Sequence, residues 1–226
     1  MNKHYELIVF DWDGTLIDSQ ARIVNCMRAA IEDLQLPART HAQMSNVIGL
    51  GLKEALSTLY PEGDDPIYDS LVERYRHHFL FQDETPSALF DGVADMLESL
   101  ASRGHYLAIA TGKGRVGLDK ALDETGLGGH FHVTRCADET RSKPHPQMLE
   151  EIMDFVGVTP QDTLMVGDTE YDMQMANHAR AAALAVSYGV HDKARLLACN
   201  PLHCVDDVAA MRAWLDSDTR QQKEAG

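Results

Sequence analysis

The feature that most constrains this chain is an apolar run, Leu7-Ile8-Val9-Phe10, that empties without a spacer into Asp11-Trp12-Asp13-Gly14-Thr15. A run this short, with β-branched and aromatic members and a glycine just beyond it, reads as a strand buried on both faces, and so as a parallel strand of an α/β sheet. Such sheets bind ligands at the carboxyl ends of their strands, which puts Asp11 and Asp13 at a crevice. Two carboxylates about 4 Å apart repel by roughly 4 kcal/mol at an effective dielectric near 20. Either one of them gains a proton or a cation sits between them. A hard divalent ion with oxygen ligands, most simply Mg²⁺, is the expected partner. The alternative is that Asp-x-Asp-Gly only makes a turn.

Further strand ends of the same kind favour a site. Tyr106-Leu107-Ala108-Ile109-Ala110 empties into Thr111-Gly112-Lys113-Gly114, and Thr163-Leu164-Met165-Val166 into Gly167-Asp168-Thr169-Glu170-Tyr171-Asp172. Shorter strands are predicted over 133–136 and 182–187, the second as the last strand. Helical periodicity fills the gaps: over 91–103, closed by Gly104; over 115–124; after Ser142-Lys143-Pro144-His145-Pro146, where Leu149, Ile152, Met153 and Val156 form a stripe; and near 205–214. This alternation predicts a Rossmann-like, doubly wound parallel α/β sheet with right-handed crossovers. Residues 18–86 hold no convincing strand. Helices are predicted there over 20–36, with Ser19 as N-cap and Pro37 as stop, and over 40–47, 52–59 and 66–81. The expected organisation is a core of residues 1–17 and 87–216, an inserted all-helical domain of 18–86, and a disordered polar tail of 217–226.

A net charge of −15 argues against a nucleic-acid or anionic-membrane partner, and no apolar run is long enough to span a bilayer. The start of the chain has no secretory pattern, so a cytoplasmic location is expected, with a small molecule as partner and the chain as monomer or homodimer. Cys26, Cys136, Cys199 and Cys204 have no framework spacing and read as reduced thiols; Cys199 with His203-Cys204 would be half a zinc site without its other half. Against this acidic field, an anionic substrate must be held by a few local cations. Lys143 is either positioned by the prolines that follow or a solvated loop lysine. Asp172 either orients a neighbour or is a helix N-terminal acid favoured by the dipole. Lys53 can be a substrate contact or a solvated helix lysine, and Lys113 and Arg115 a basic contact or a polar helix start. Met44, Met165, Met173 and Met175 read as packing.

In this order, Asp11-Trp12-Asp13-Gly14-Thr15, Thr111-Gly112-Lys113, Lys143-Pro144 and Gly167-Asp168-Thr169-x-x-Asp172 resemble the four motifs of the haloacid dehalogenase-like (HAD) hydrolase superfamily. The resemblance covers residues 7–214, and the helical insert is similar to the cap of the phosphoglycolate-phosphatase-like branch. It implies a Mg²⁺-dependent phosphomonoester hydrolase that acts on a small soluble phosphate through an aspartyl-phosphate. Asp11 would be the nucleophile and Asp13 the general acid and base. Trp12, Thr111, Gly112 and Lys143 would bind the phosphoryl group, with Lys143 also catalytic in neutralising its charge. Asp11, the backbone carbonyl of Asp13, and Asp168 would hold the metal. Asp172 would orient metal-bound water or Lys143, and Lys53 and Lys113 are possible substrate contacts.

Rival activities share the fold. Dehalogenases of this superfamily lack the second aspartate, and phosphonate-cleaving relatives replace it and use a cap lysine; Asp13 argues against both, while Trp12 and the cap position of Lys53 keep the second open. A phosphomutase similar to β-phosphoglucomutase has the same aspartate pair and cap, and a catalytically idle binding module stands further off. The branch suggests phosphoglycolate; sugar phosphates, nucleotides and other short phosphoacids stay open. One departure is Arg180, where relatives usually carry glycine, expected to cost roughly 1 kcal/mol at a left-handed helix end.

Overall fold

In the computed structural model, which describes residues 4–217, β1 (Leu7–Phe10) has all four side chains buried. It pairs in parallel along both edges and is covered on both faces. Ile8 and Phe10 enter one core, Leu7 and Val9 the other, the period of two expected in mid-sheet. Next come the two-residue β2 (Ile17–Asp18) and the helices α1 (Gln20–Asp33), α2 (His41–Asn46), α3 (Leu52–Leu59) and α4 (Asp65–His77). The last runs into a π-helical turn, His78–Gln82. The chain returns through β3 (Ala88–Leu89), antiparallel to β2. It continues as α5 (Val93–Ser102), β4 (Tyr106–Thr111), α6 (Arg115–Thr125), β5 (Val133–Cys136), α7 (Gln147–Val156), β6 (Thr163–Gly167), α8 (Glu170–Ala179), β7 (Ala182–Val186), α9 (Lys193–Leu197), β8 (His203–Val205) and α10 (Val208–Ser217).

Six parallel strands lie in the order β5-β4-β1-β6-β7-β8. From β1 the chain steps outward through β4 to β5, then recrosses to β6, β7 and β8. The strand order therefore reverses at β1, and a crevice opens there at the strand ends. Side chains of α5, α6 and α10 fill one core and those of α7, α8 and α9 the other. This is the doubly wound α/β architecture that the alternation predicts. The helical insert packs around its own third core, which includes Met27, Met44, Leu56 and Leu71.

Four local expectations are corrected. The strand at 182–187 is not the last: β8 and α9 follow it, and β8 is a three-residue edge strand that begins with an exposed histidine, too short for an alternation to show. Helix α1 ends at Asp33, before Pro37, with Gln35 left-handed at φ 53°. Ser19 does not cap α1; its hydroxyl is drawn to Asp13 instead. The ribbon of β2 and β3 forms where the insert leaves and rejoins the sheet, from strands too short to read in the sequence. Ser217 closes α10, and the rest of the tail expected to be disordered, 218–226, lies outside the described residues.

Candidate active site

The end of β1 delivers Asp11, whose amide donates to the Val166 carbonyl at 2.9 Å and so continues the pairing with β6. Asp168 follows β6 directly, and Asp172 sits in the first turn of α8, where its carboxylate and the Thr169 hydroxyl form a capping box. Lys143 arrives from the loop before α7 with its side chain fully buried. Its Nζ lies 2.6 Å from Asp172 Oδ1 and 2.9 Å from Asp11 Oδ1. Asp172 thus pairs with Lys143 from the first turn of α8. One carboxylate oxygen each from Asp11, Asp168 and Asp172 falls within 4.8 Å of the others.

The surrounding backbone is shaped to hold these groups. Asp168 accepts from the Thr15 hydroxyl and from the Val190 amide, each at 2.8 Å. Gly14 is left-handed at φ 79°, and a Cβ on it would lie 2.2 Å from Asp168 Oδ2, so only glycine lets the turn close on that carboxylate. Asp172 Oδ2 accepts from the Thr169 hydroxyl at 2.7 Å and the Thr169 amide at 3.1 Å. Asp11 Oδ1 accepts from the Trp12 amide at 2.7 Å, while Asp11 Oδ2 is buried with no partner among the described residues.

Three carboxylates around one ammonium leave a surplus of two negative charges in a buried place. Burial holds the Asp11 carboxyl well above the usual range; Lys143 opposes this, while Asp172 and Asp168 add to it. Asp168 is pushed up to about 7, by burial first and Asp172 second. Burial alone would lower the Lys143 ammonium, but Asp11 and Asp172 outweigh it and hold that group above its ordinary value. A double negative surplus and an unpartnered carboxylate oxygen fit a divalent, oxygen-seeking cation such as Mg²⁺. The Asp13 carboxylate stands outside this group.

Asp13 has a second set of partners: its Oδ1 accepts from the Ser19 hydroxyl at 2.7 Å and lies 3.1 Å from Lys113 Nζ. That ammonium also sits 4.4 Å above the Phe79 ring, which comes from the π-helical turn of the insert. Thr111, fully buried at the end of β4, accepts from the Lys113 amide at 3.1 Å. Trp12 brings only its backbone amide to the cluster, since its ring is buried in a sheet core. Lys53 does not reach toward the strand ends. It pairs with Asp65 at 2.9 Å and Asp69 at 3.2 Å on the rim, and these hydrogen bonds, Asp65 first, raise its ammonium above the ordinary value. Arg115 turns away to Glu139, Asp119 and Thr134.

Phe79 and the Val190 amide go unnoticed in the sequence, and Ser19 is read there only as a helix cap. Val190 had a legible signal, because every parallel strand end in such a sheet faces the crevice, and 188–191 follows β7. Ser19 and Phe79 had none, since their contacts depend on how the insert folds back. The insert lies against the strand ends through the Gly51 amide, which donates to Ser142 Oγ at 2.7 Å, and the Tyr171 hydroxyl, which donates to the Asn46 carbonyl at 3.0 Å. Between them is a cavity of about 510 Å³ with Asp11, Asp13, Thr111 and Gly112 in its wall. Its wall brings the carboxylates of Asp11 and Asp13 together with the Lys113 ammonium.

A family model described as "Haloacid dehalogenase-like hydrolase" matches residues 8–186. The "Probable phosphatase IndB" of Dickeya dadantii is 34% identical, over 88% of this chain and 89% of its own. A 5'-nucleotidase of Pseudomonas aeruginosa is 28% identical over 94% and 96%, and a phosphoglycolate phosphatase of Aliivibrio fischeri 32% over 84% and 87%. The crystal structure of a hydrolase from Pseudomonas syringae superposes with a TM-score of 0.86 at 22% identity, covering 94% of this chain and 98% of that one, a likeness of fold.

Proposed function

The chain belongs to the haloacid dehalogenase-like hydrolases, as a phosphatase similar to their phosphoglycolate-phosphatase branch, and from that premise we propose a Mg²⁺-dependent phosphomonoester hydrolase working through an aspartyl-phosphate on Asp11. The observation that carries this reading is the buried, unpartnered Asp11 Oδ2 beside the Lys143 ammonium. Asp11 attacks phosphorus while the bond to the ester oxygen breaks, and Asp13 gives that oxygen its proton. Asp13 then takes a proton from water as the water attacks phosphorus, which frees Asp11 and inorganic phosphate. Ser19 and Lys113 hold the Asp13 carboxylate for both transfers. Thr111 and the amides of Gly112 and Trp12 take phosphoryl oxygens, and Lys143 balances the charge that gathers on them.

Mg²⁺, held by Asp11, Asp168 and the Asp13 carbonyl, would supply the positive charge that lets a carboxylate approach a phosphate dianion. Asp172 fixes Lys143. The insert, residues 18–86, acts as a cap over the core, and its closure keeps bulk water from the intermediate. The ribbon of β2 and β3 is the joint on which it moves. A Schiff-base role for Lys53 is disfavoured, because two carboxylates keep its ammonium protonated.

The test is release of inorganic phosphate from a panel of soluble phosphomonoesters with Mg²⁺ and with EDTA. Release is expected only with Mg²⁺, and Asp11→Asn is expected to lower it at least about 100-fold without lowering the melting temperature, since Asp172 still pairs Lys143. Turnover that persists in EDTA, or a residual rate above about one hundredth, would sink the reading.

A further inference from the structure

We propose that the ester hydrolysed here has a bulky, uncharged, ring-bearing alcohol as its leaving group, and not a short phospho-acid; this names the substrate class of the phosphatase reading and rests on it. The first observation is size. The cavity of about 510 Å³ falls in the range of roughly 300–1,000 Å³ typical for drug-sized ligands, whereas glycolate beyond its phosphoryl group would leave most of it as water.

The second observation is its wall. Past the strand ends the chamber is bounded by Met27, Ala55, Val72, Tyr75, Phe79 and Val116. Val116, in the first turn of α6, is 67% exposed yet turned to the mouth. Tyr75 and Phe79 stack with ring centroids 5.8 Å apart. Such a wall gains free energy from covering an apolar or ring-bearing body, in proportion to the apolar area removed from water, and gains little from a hydroxy-acid.

Charge supplies the third. The cations in the wall are Lys53, Arg76 and Lys113, and each already faces a carboxylate: Lys53 those of Asp65 and Asp69, Arg76 that of Asp138 at 3.6 Å, and Lys113 that of Asp13. A carboxylate on the leaving group would find no unengaged cation there, inside a chain of net charge −15. What the wall does offer is the Tyr75 hydroxyl, which has no hydrogen-bond partner among the described residues and suits one neutral polar group on a ring-bearing alcohol.

The experiment compares kcat/KM for benzyl phosphate and adenosine 5'-monophosphate with that for phosphoglycolate and glycerol phosphate. All four are alkyl esters, so intrinsic leaving-group reactivity does not decide the order. At least one ring-bearing ester is expected to exceed both short esters by tenfold or more, chiefly through KM. Tyr75→Ala should shrink that ratio, and Val72→Arg, which adds a cation to the wall, should shift it toward phosphoglycolate. A short ester cleaved as well as the better ring-bearing one would overturn the inference and leave the phosphatase reading standing. No release from any of the four by folded protein with Mg²⁺ would overturn both.

Discussion

Lys143 shows what a single buried charge demands of its surroundings. An ammonium removed from water is tolerable only when paired and hydrogen-bonded, and Asp11 and Asp172 provide both. His105 meets the opposite requirement. It is 3% exposed, its Nδ1 donates to the Tyr5 carbonyl at 2.7 Å, and its Nε2 is buried without a partner among the described residues. Burial lowers its pKa below the ordinary value near 6.5, and the charge of Arg103 works the same way. The folded state therefore binds fewer protons than the unfolded state just below that value, so the contribution of His105 is present above pH 6.5 and is lost as pH falls. Asp168, raised by its surroundings, acts oppositely, its contribution lost as pH rises toward about 7. The informative quantity is the difference between two chains. Melting temperature should fall more steeply from pH 7.5 to 5.5 in the wild type than in His105→Asn; parallel curves would show that His105 does not titrate on unfolding.

Helix α8 carries the Asp172 that fixes Lys143, and its two ends are finished in different ways. Its start has a capping box; its end places Arg180 at φ 60°, left-handed and with an exposed side chain. A Cβ in that conformation costs roughly 1–2 kcal/mol, partly offset by the extra chain entropy that glycine loses on folding. Arg180→Gly is expected to raise stability by up to about 1 kcal/mol, or roughly 2–4 °C in melting temperature for a chain of this size, with turnover unchanged. A loss of activity beyond twofold would assign Arg180 a task that its exposure does not suggest.

The contact between insert and sheet belongs to the whole molecule. At Gly112 an added Cβ would lie 2.5 Å from the Leu50 carbonyl oxygen and 2.6 Å from that of Gly49, so the insert rests directly on the backbone that follows β4. Gly112→Ala should lift it. The expected result is a KM raised about tenfold or more, with faster amide hydrogen exchange in 47–51 and little change in the sheet. An unchanged KM and unchanged exchange would mean that the two units do not need this approach. The six parallel strands themselves are indifferent to such a change, because their burial comes from the two cores on either side of them.

Much of the sheet was legible because burial and strand period are local properties. A run such as Leu7-Ile8-Val9-Phe10 or Thr163-Leu164-Met165-Val166 declares itself within four residues, and the polar residue that ends it marks the crevice. The edge strand β8 and the β2–β3 ribbon were not legible, being two or three residues long. Which tips meet was decided by strand order, a property of the folded chain. Thr15 and Asp168, hydrogen-bonded across 153 residues of sequence, are adjacent only because β1 pairs with β6. The same holds for the partners of each charge. Lys53 and Lys113 are both lysines at the start of helical stretches; one turns to α4 and the other to Asp13, because a long side chain follows the nearest carboxylate, and the packing of the insert determines which one that is.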